Sequence, residues 1–289
     1  MEGGVRLSRH EKSAVSVVAA AACALWLAPA CKKSRSAEPG PEVAPAVDDT
    51  AAPAASKAPS GAPPGPTGTI SGTVILTGKA PEMPLLQRGA DPFCAREEMH
   101  AEAVLAGDGG GLANALVRVA PGAVKGWVPS SPVVVDQVDC MYRPRVQGGV
   151  RGQTLEVRNS DKTTHNVNAR KLPWGERRDT DTIFNRAQIA GAPPITDPIG
   201  EDEILKLKCD VHGWMQGFVV VSDNPYFGTS GKDGHFTIER APAGTYELQV
   251  WHEYYGIKTQ SVTVAEGKSA EVHFTYDAEK DRPAQTGAR

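Results

Sequence analysis

Beyond Gly68 the chain alternates apolar and polar residues in short segments, each broken by Gly, Pro, Asp or Asn. Ile70–Leu76, Ala113–Val119, Gln153–Arg158, Ile204–Lys208 and Phe218–Val221 are such segments. His235–Ile238, Tyr246–Val250, Val262–Val264 and Val272–Tyr276 continue the series. A period of two puts alternate side chains on opposite faces of a strand, so each segment predicts a strand with one buried face. Short strands with turn signals at this spacing predict an all-β sandwich. Lys232-Asp233-Gly234 is expected as a turn into the strand at Phe236. Only Ala95–Ala103 reads as a turn or two of helix. No internal repeat is evident.

The N-terminus follows a different rule. Arg6, Arg9 and Lys12 precede an uninterrupted small or apolar run, Ser13–Leu27. That run is too short to span a bilayer and reads as the core of a secretory signal. Ser36–Gly68 is rich in Pro and Ala and has no aromatic residue. It cannot bury enough apolar surface to offset its ordering entropy and is expected as a disordered tether. Between them, Leu27-Ala28-Pro29-Ala30-Cys31 resembles a bacterial lipobox, with Ala28 where that motif prefers Leu. The resemblance implies a lipidated Cys31 and, with Lys32 next, an outer-membrane anchor. Ordinary cleavage near Ala30 is the alternative. Either way the expectation is an exported protein, periplasmic or at the cell surface. The net charge of −3 and the absence of a basic stripe exclude nucleic acid as the main partner.

Cysteine usage narrows the chemistry. Of the five cysteines, Cys23 lies in the signal and Cys31 in the lipobox, leaving Cys94, Cys140 and Cys209. In an oxidising compartment exposed thiols usually pair. Cys209 stands among residues that suit a metal, so the expected disulfide is Cys94–Cys140. Two separate buried thiols are the alternative.

Cys209-Asp-Val-His212-Gly-Trp-Met215 places a thiolate, an imidazole and a thioether on one short loop between two strands. These donors suit copper, whose mononuclear electron-transfer sites use two His and one Cys with a weak axial Met. The missing imidazole is expected from His165, in the stretch Val150–Val157, Asn159-Ser-Asp161, Thr164-His165-Asn166-Val167. These two stretches resemble the cupredoxin family, and the ligand loop is similar in spacing to that of amicyanin. The resemblance implies a Greek-key sandwich over residues 132–223, with His165, Cys209 and His212 as equatorial ligands and Met215 as axial ligand. It implies that Asn166 ties the two loops together. It also implies electron transfer to a redox partner protein of the cell envelope, with His212 on an exposed loop as the electron port and Trp214 as a docking surface. A degenerate, metal-free site and zinc at the same ligands are the alternatives, although zinc rarely accepts a thioether.

Gly234–Ile238, Ala241–Leu248 and the strand at Val262, with Ser71–Val74 and Ala115–Val119, resemble the carboxypeptidase regulatory-like domain, a small transthyretin-like sandwich. The expected organisation is therefore a signal peptide at 1–30 and a lipidated linker at 31–68. A transthyretin-like domain follows at 69–131 and 224–278. The cupredoxin-like domain, 132–223, is inserted in it or packed against it, and 279–289 form a disordered tail. His252, in Trp251-His252-Glu253, is expected as a buried structural residue, with a second metal site shared with His100 as the alternative. Gly107–Gly111 is a flexible turn. It lacks the Lys-Ser/Thr and helix of a phosphate loop. No His-x-His pair occurs, so an enzyme of the multicopper type is not expected. The leading reading is a membrane-tethered blue-copper electron carrier. The alternative is a non-redox copper-holding or cell-surface binding protein.

Overall fold

The computed structural model describes residues 65–201 and 203–283. The signal peptide, Cys31 and nearly all of the linker lie outside the described residues, as do 284–289.

The chain is all-β. In order, the strands are β1 (Thr67–Thr77), β2 (Leu116–Val119), β3 (Val133–Val138), β4 (Met141–Arg143), β5 (Val146–Val150), β6 (Thr154–Asn159), β7 (His165–Lys171) and β8 (Thr182–Gln188). There follow β9 (Ile195–Pro198), β10 (Ile204–Lys208), β11 (Gln216–Ser222), β12 (Phe227–Thr229), β13 (His235–Pro242), β14 (Gly244–His252), β15 (Gly256–Val264) and β16 (Ser269–Asp277). They form four sheets, ordered β13-β1-β16, β12-β2-β14-β15, β5-β11-β10-β7-β8 and β4-β3-β6-β9. The first two sheets use only strands within residues 67–119 and 227–277, and the other two use residues 133–222.

Alternation decides which side of each strand is buried. In β1 every second residue is buried, and Ile70, Val74 and Leu76 join Phe236, Ile238, Leu248, Val250 and Phe274 in one core. Gly72 is required there, because a Cβ would lie 1.6 Å from the Val272 carbonyl oxygen of the parallel neighbour β16. A second core fills the space between the other two sheets, with Val135, Tyr142, Leu155, Val157, Leu207 and Val219. A third cluster, including Leu116, Trp251, Val146, Ile204 and Phe218, joins β2 and β14 to β5, β10 and β11. Two buried polar contacts cross the same seam. Arg145 donates to both carboxylate oxygens of Glu253, and Arg118 donates to the Val221 carbonyl.

Some local expectations needed correction. The helical reading of Ala95–Ala103 reduces to a single 3-10 turn, Cys94–Arg96. The stretch between His165 and Cys209, read as loop material, holds β8 and β9. The first residues of the expected tail, 279–283, are placed: Asp281 donates to the Asp277 carbonyl and pairs with Lys258 at 2.8 Å. Lys232-Asp233-Gly234 does form a turn before β13, with Gly234 at φ 78°. Among the described residues no helix is long and apolar enough to cross a membrane.

Candidate metal centre

Three strands bring the expected ligands together. His165 opens β7, Cys209 follows the last residue of β10, and these strands are antiparallel neighbours. The loop from Cys209 to Met215 then leads into β11. The donor atoms of His165, Cys209 and His212 all lie within 4.8 Å of one another, and all three residues are buried. Nδ1 of His165 stands 2.9 Å from Nδ1 of His212, and Cys209 Sγ lies 3.9 Å from the same His212 nitrogen. Met215 is fully buried in the apolar cluster that holds Cys209, and its backbone N–H donates to the His212 carbonyl.

The far nitrogens of both rings are held by carboxylates. Nε2 of His165 is 2.8 Å from Oδ2 of Asp161, and Nε2 of His212 is 3.1 Å from Oδ2 of Asp91. A carboxylate at Nε2 fixes the proton on that nitrogen and turns the Nδ1 lone pair inward. Both Nδ1 atoms face the same point. Burial alone would lower the His165 pKa, but the hydrogen bonds to Asp161 and Cys209 outweigh burial and raise it to about 9. His212 goes the other way, lowered by burial and by the charge on His165. Burial pushes the Cys209 thiol up, yet His165 and the backbone N–H groups of Asn166 and His212 bring it below the ordinary thiol value. A thiol brought below its ordinary value and two inward imidazole nitrogens form a donor set that fits copper.

Asn166 joins the two loops directly. Its Oδ1 accepts from the Asp210 amide at 2.6 Å, and its Nδ2 donates to Asp210 Oδ2 at 3.1 Å. Cys94 and Cys140 are disulfide-bonded, while Cys209 is a free, buried thiol.

One expectation fails. His212 is 2 % exposed and offers no ring edge to solvent. The chain around Cys94 lies against it, with the Cys94 sulfur 3.7 Å from Nε2, and Trp214 packs 5.1 Å from the ring. Trp214 is itself only half-buried and is tied to the Cys140 carbonyl through its indole N–H. The exposed residues of the loop are Asp210, Val211 and Gly213. Sequence reasoning singled out Asn159-Ser-Asp161 without giving Asp161 a role, and it passed over Asp91. Asp161 sits four positions before His165, a spacing that could have flagged it, whereas nothing local marks Asp91.

His252 is held by the backbone: its Nδ1 accepts the N–H of Tyr254 and of Tyr255. Neither His252 nor His100 belongs to a cluster of potential metal-binding groups among the described residues.

Comparison with known proteins adds the following. Residues 199–272 match the sequence profile of polysaccharide lyase family 4, domain II, which covers under half of the chain. No curated protein matches by sequence. Among solved structures, a purple cupredoxin from Nitrosopumilus maritimus is similar at 21% identity and a TM-score of 0.26, covering 31% of this chain and 98% of that one. The copper-containing nitrite reductase of Thermus scotoductus is similar at 21% identity and a TM-score of 0.27, with 36% of this chain and 25% of that one covered. A reduced Cu(I) form of an amicyanin variant is similar at 22% identity and a TM-score of 0.24, covering 33% of this chain and 86% of that one. Scores this low leave the functional reading to the donor atoms.

Proposed function

We propose that this chain is a mononuclear copper protein of the cell envelope that carries electrons and catalyses no reaction of its own. The observation that carries the reading is the convergence of His165 Nδ1, His212 Nδ1 and Cys209 Sγ, with both outer imidazole nitrogens on carboxylates. Copper bound by a thiolate and two imidazoles supplies one-electron chemistry. His165 and His212 would hold the ion, Cys209 would couple it to the protein, and Met215 would be the axial donor. Strands β7 and β10 keep His165 and Cys209 in place across neighbouring ladders, so little rearrangement would accompany each electron. The Cys94–Cys140 disulfide supports an oxidising compartment, in keeping with the exported, lipid-anchored protein proposed from Ser13–Cys31. Its partner would be a redox protein of the envelope.

The test is Cu(II) addition to the soluble chain from residue 65 onward. An intense visible thiolate-to-copper band, lost in Cys209→Ser, supports the reading. A folded protein with a free Cys209 thiol and no band refutes it.

The burial of His212 favours a second reading, a closed copper-holding site. A holding site would show the same band but no reversible redox couple at an electrode.

A further inference from the structure

Each ligand histidine is oriented by an aspartate, and each aspartate is anchored by the backbone of one half-cystine. Asp161 accepts the amides of Asp139 and Cys140, at 2.8 Å each. Asp91 accepts those of Phe93 at 2.8 Å and Cys94 at 3.3 Å. Asp91 Oδ2 also takes the Thr163 hydroxyl at 2.7 Å, so this carboxylate is held from three sides before it meets His212. Asp139 and Cys140 both lie in the left-handed region, at φ 54° and 56°, which turns their two amides together onto Asp161. The Cys94–Cys140 bond joins the two anchors. Asp91 has no other covalent tie to the metal loop, being 121 residues from His212 in sequence.

We propose that Asp91 is a positioning residue for the metal centre, and that the Cys94–Cys140 disulfide holds it over His212. The carboxylate keeps the proton on Nε2 and points Nδ1 at the metal, while the half-cystine backbone keeps the carboxylate in place. Without the disulfide, Asp91 and the turn at Cys94–Arg96 are held over His212 only by hydrogen bonds and packing, and the ring gains freedom to rotate. The consequence for metal retention rests on the copper reading above. The ring geometry does not, since it rests on the contacts of Asp91 and Asp161 alone.

The experiment therefore begins without metal. Proton–nitrogen NMR of ring-labelled histidine in the soluble chain should show slowly exchanging Nε2–H signals for His165 and His212. Asp91→Ala should abolish the His212 signal and leave that of His165, which also reports that the site is folded. Cys94→Ala/Cys140→Ala should also abolish it, and the milder Thr163→Val should speed its exchange. A His212 signal that persists unchanged in Asp91→Ala overturns the role of Asp91. Persistence in the double cysteine variant alone overturns the role of the disulfide. Copper is then added, and loss to a chelator is timed. Asp91→Ala and the double variant should release it about 10- to 100-fold faster. Equal rates in a copper-loaded wild type and Asp91→Ala overturn the effect on metal. If the NMR behaves as stated and no form binds copper, the positioning stands and the copper reading falls.

Discussion

Asp91 Oδ2 lies 3.1 Å from Nε2 of His212, so a residue near the start of the described chain touches the candidate ligand loop 121 positions further on. The contact shuts the ring away from water.

Copper should stabilise the protein by mass action. At 100 times its dissociation constant a ligand that binds only the native state contributes about 2.7 kcal/mol. Urea unfolding with and without Cu(II) should show that gain in the wild type and its loss in Cys209→Ser.

The disulfide spans 46 positions, and closing a loop of that size removes unfolded-state entropy worth about 4 kcal/mol. Cys94→Ala/Cys140→Ala should lower the copper-free stability by up to about that amount. Chemical denaturation of the soluble chain checks it, and an unchanged midpoint would refute it.

Arg145 and Glu253 form a buried, bidentate pair with side chains 6% and 8% exposed. Burial raises the Glu253 pKa although Arg145 opposes it. Arg145→Met strands a buried carboxylate and should cost about 3–5 kcal/mol. Arg145→Met/Glu253→Gln removes the charge as well and should cost less. A double-mutant cycle by urea unfolding measures the difference.

His252 gives the pH dependence a defined sign. Burial, aided by Arg145, pushes its pKa down to about 3, whereas in the unfolded chain it titrates near the ordinary value of about 6.5. Between these values the unfolded state binds the extra proton, so stability falls as pH drops from about 6.5 toward 3. The slope from this group approaches ~1.4 kcal/mol per pH unit. His252→Asn keeps an acceptor for the Tyr254 and Tyr255 amides and removes the proton site. Its unfolding free energy should vary less over pH 6 to 4 than that of the wild type, measured without metal.

What the sequence disclosed follows from the range of the interactions. Cys209, His212 and Met215 were legible because one short loop carries all three. The Cys94–Cys140 pairing was legible by counting, once Cys209 was set aside. Strand β8 was not, because six of its seven residues are not buried and no alternation survives; pairing with β7 makes it a strand. Asp91 was invisible for a stronger reason. Its role exists only when a distant disulfide brings it to His212, and the same event buries the ring that local reading left exposed. The segment 132–223 was legible as a sheet-forming stretch. The cover over its candidate metal site, at Asp91 and Cys94, comes from outside that segment.

Strand β1 has its parallel partner β16 some 200 residues further on, as in the contact between Thr73 and His273. At ~5–20 residues per second of synthesis, ~10–40 s separate the two strands. A chain that emerges N-terminus first thus has Asp91, both half-cystines and the whole ligand loop in hand before β13 or β16 exists. The residues of the candidate metal centre are made before those last strands. For that interval β1 waits with both edges open, and its safety from mispairing depends on how soon the last strand arrives.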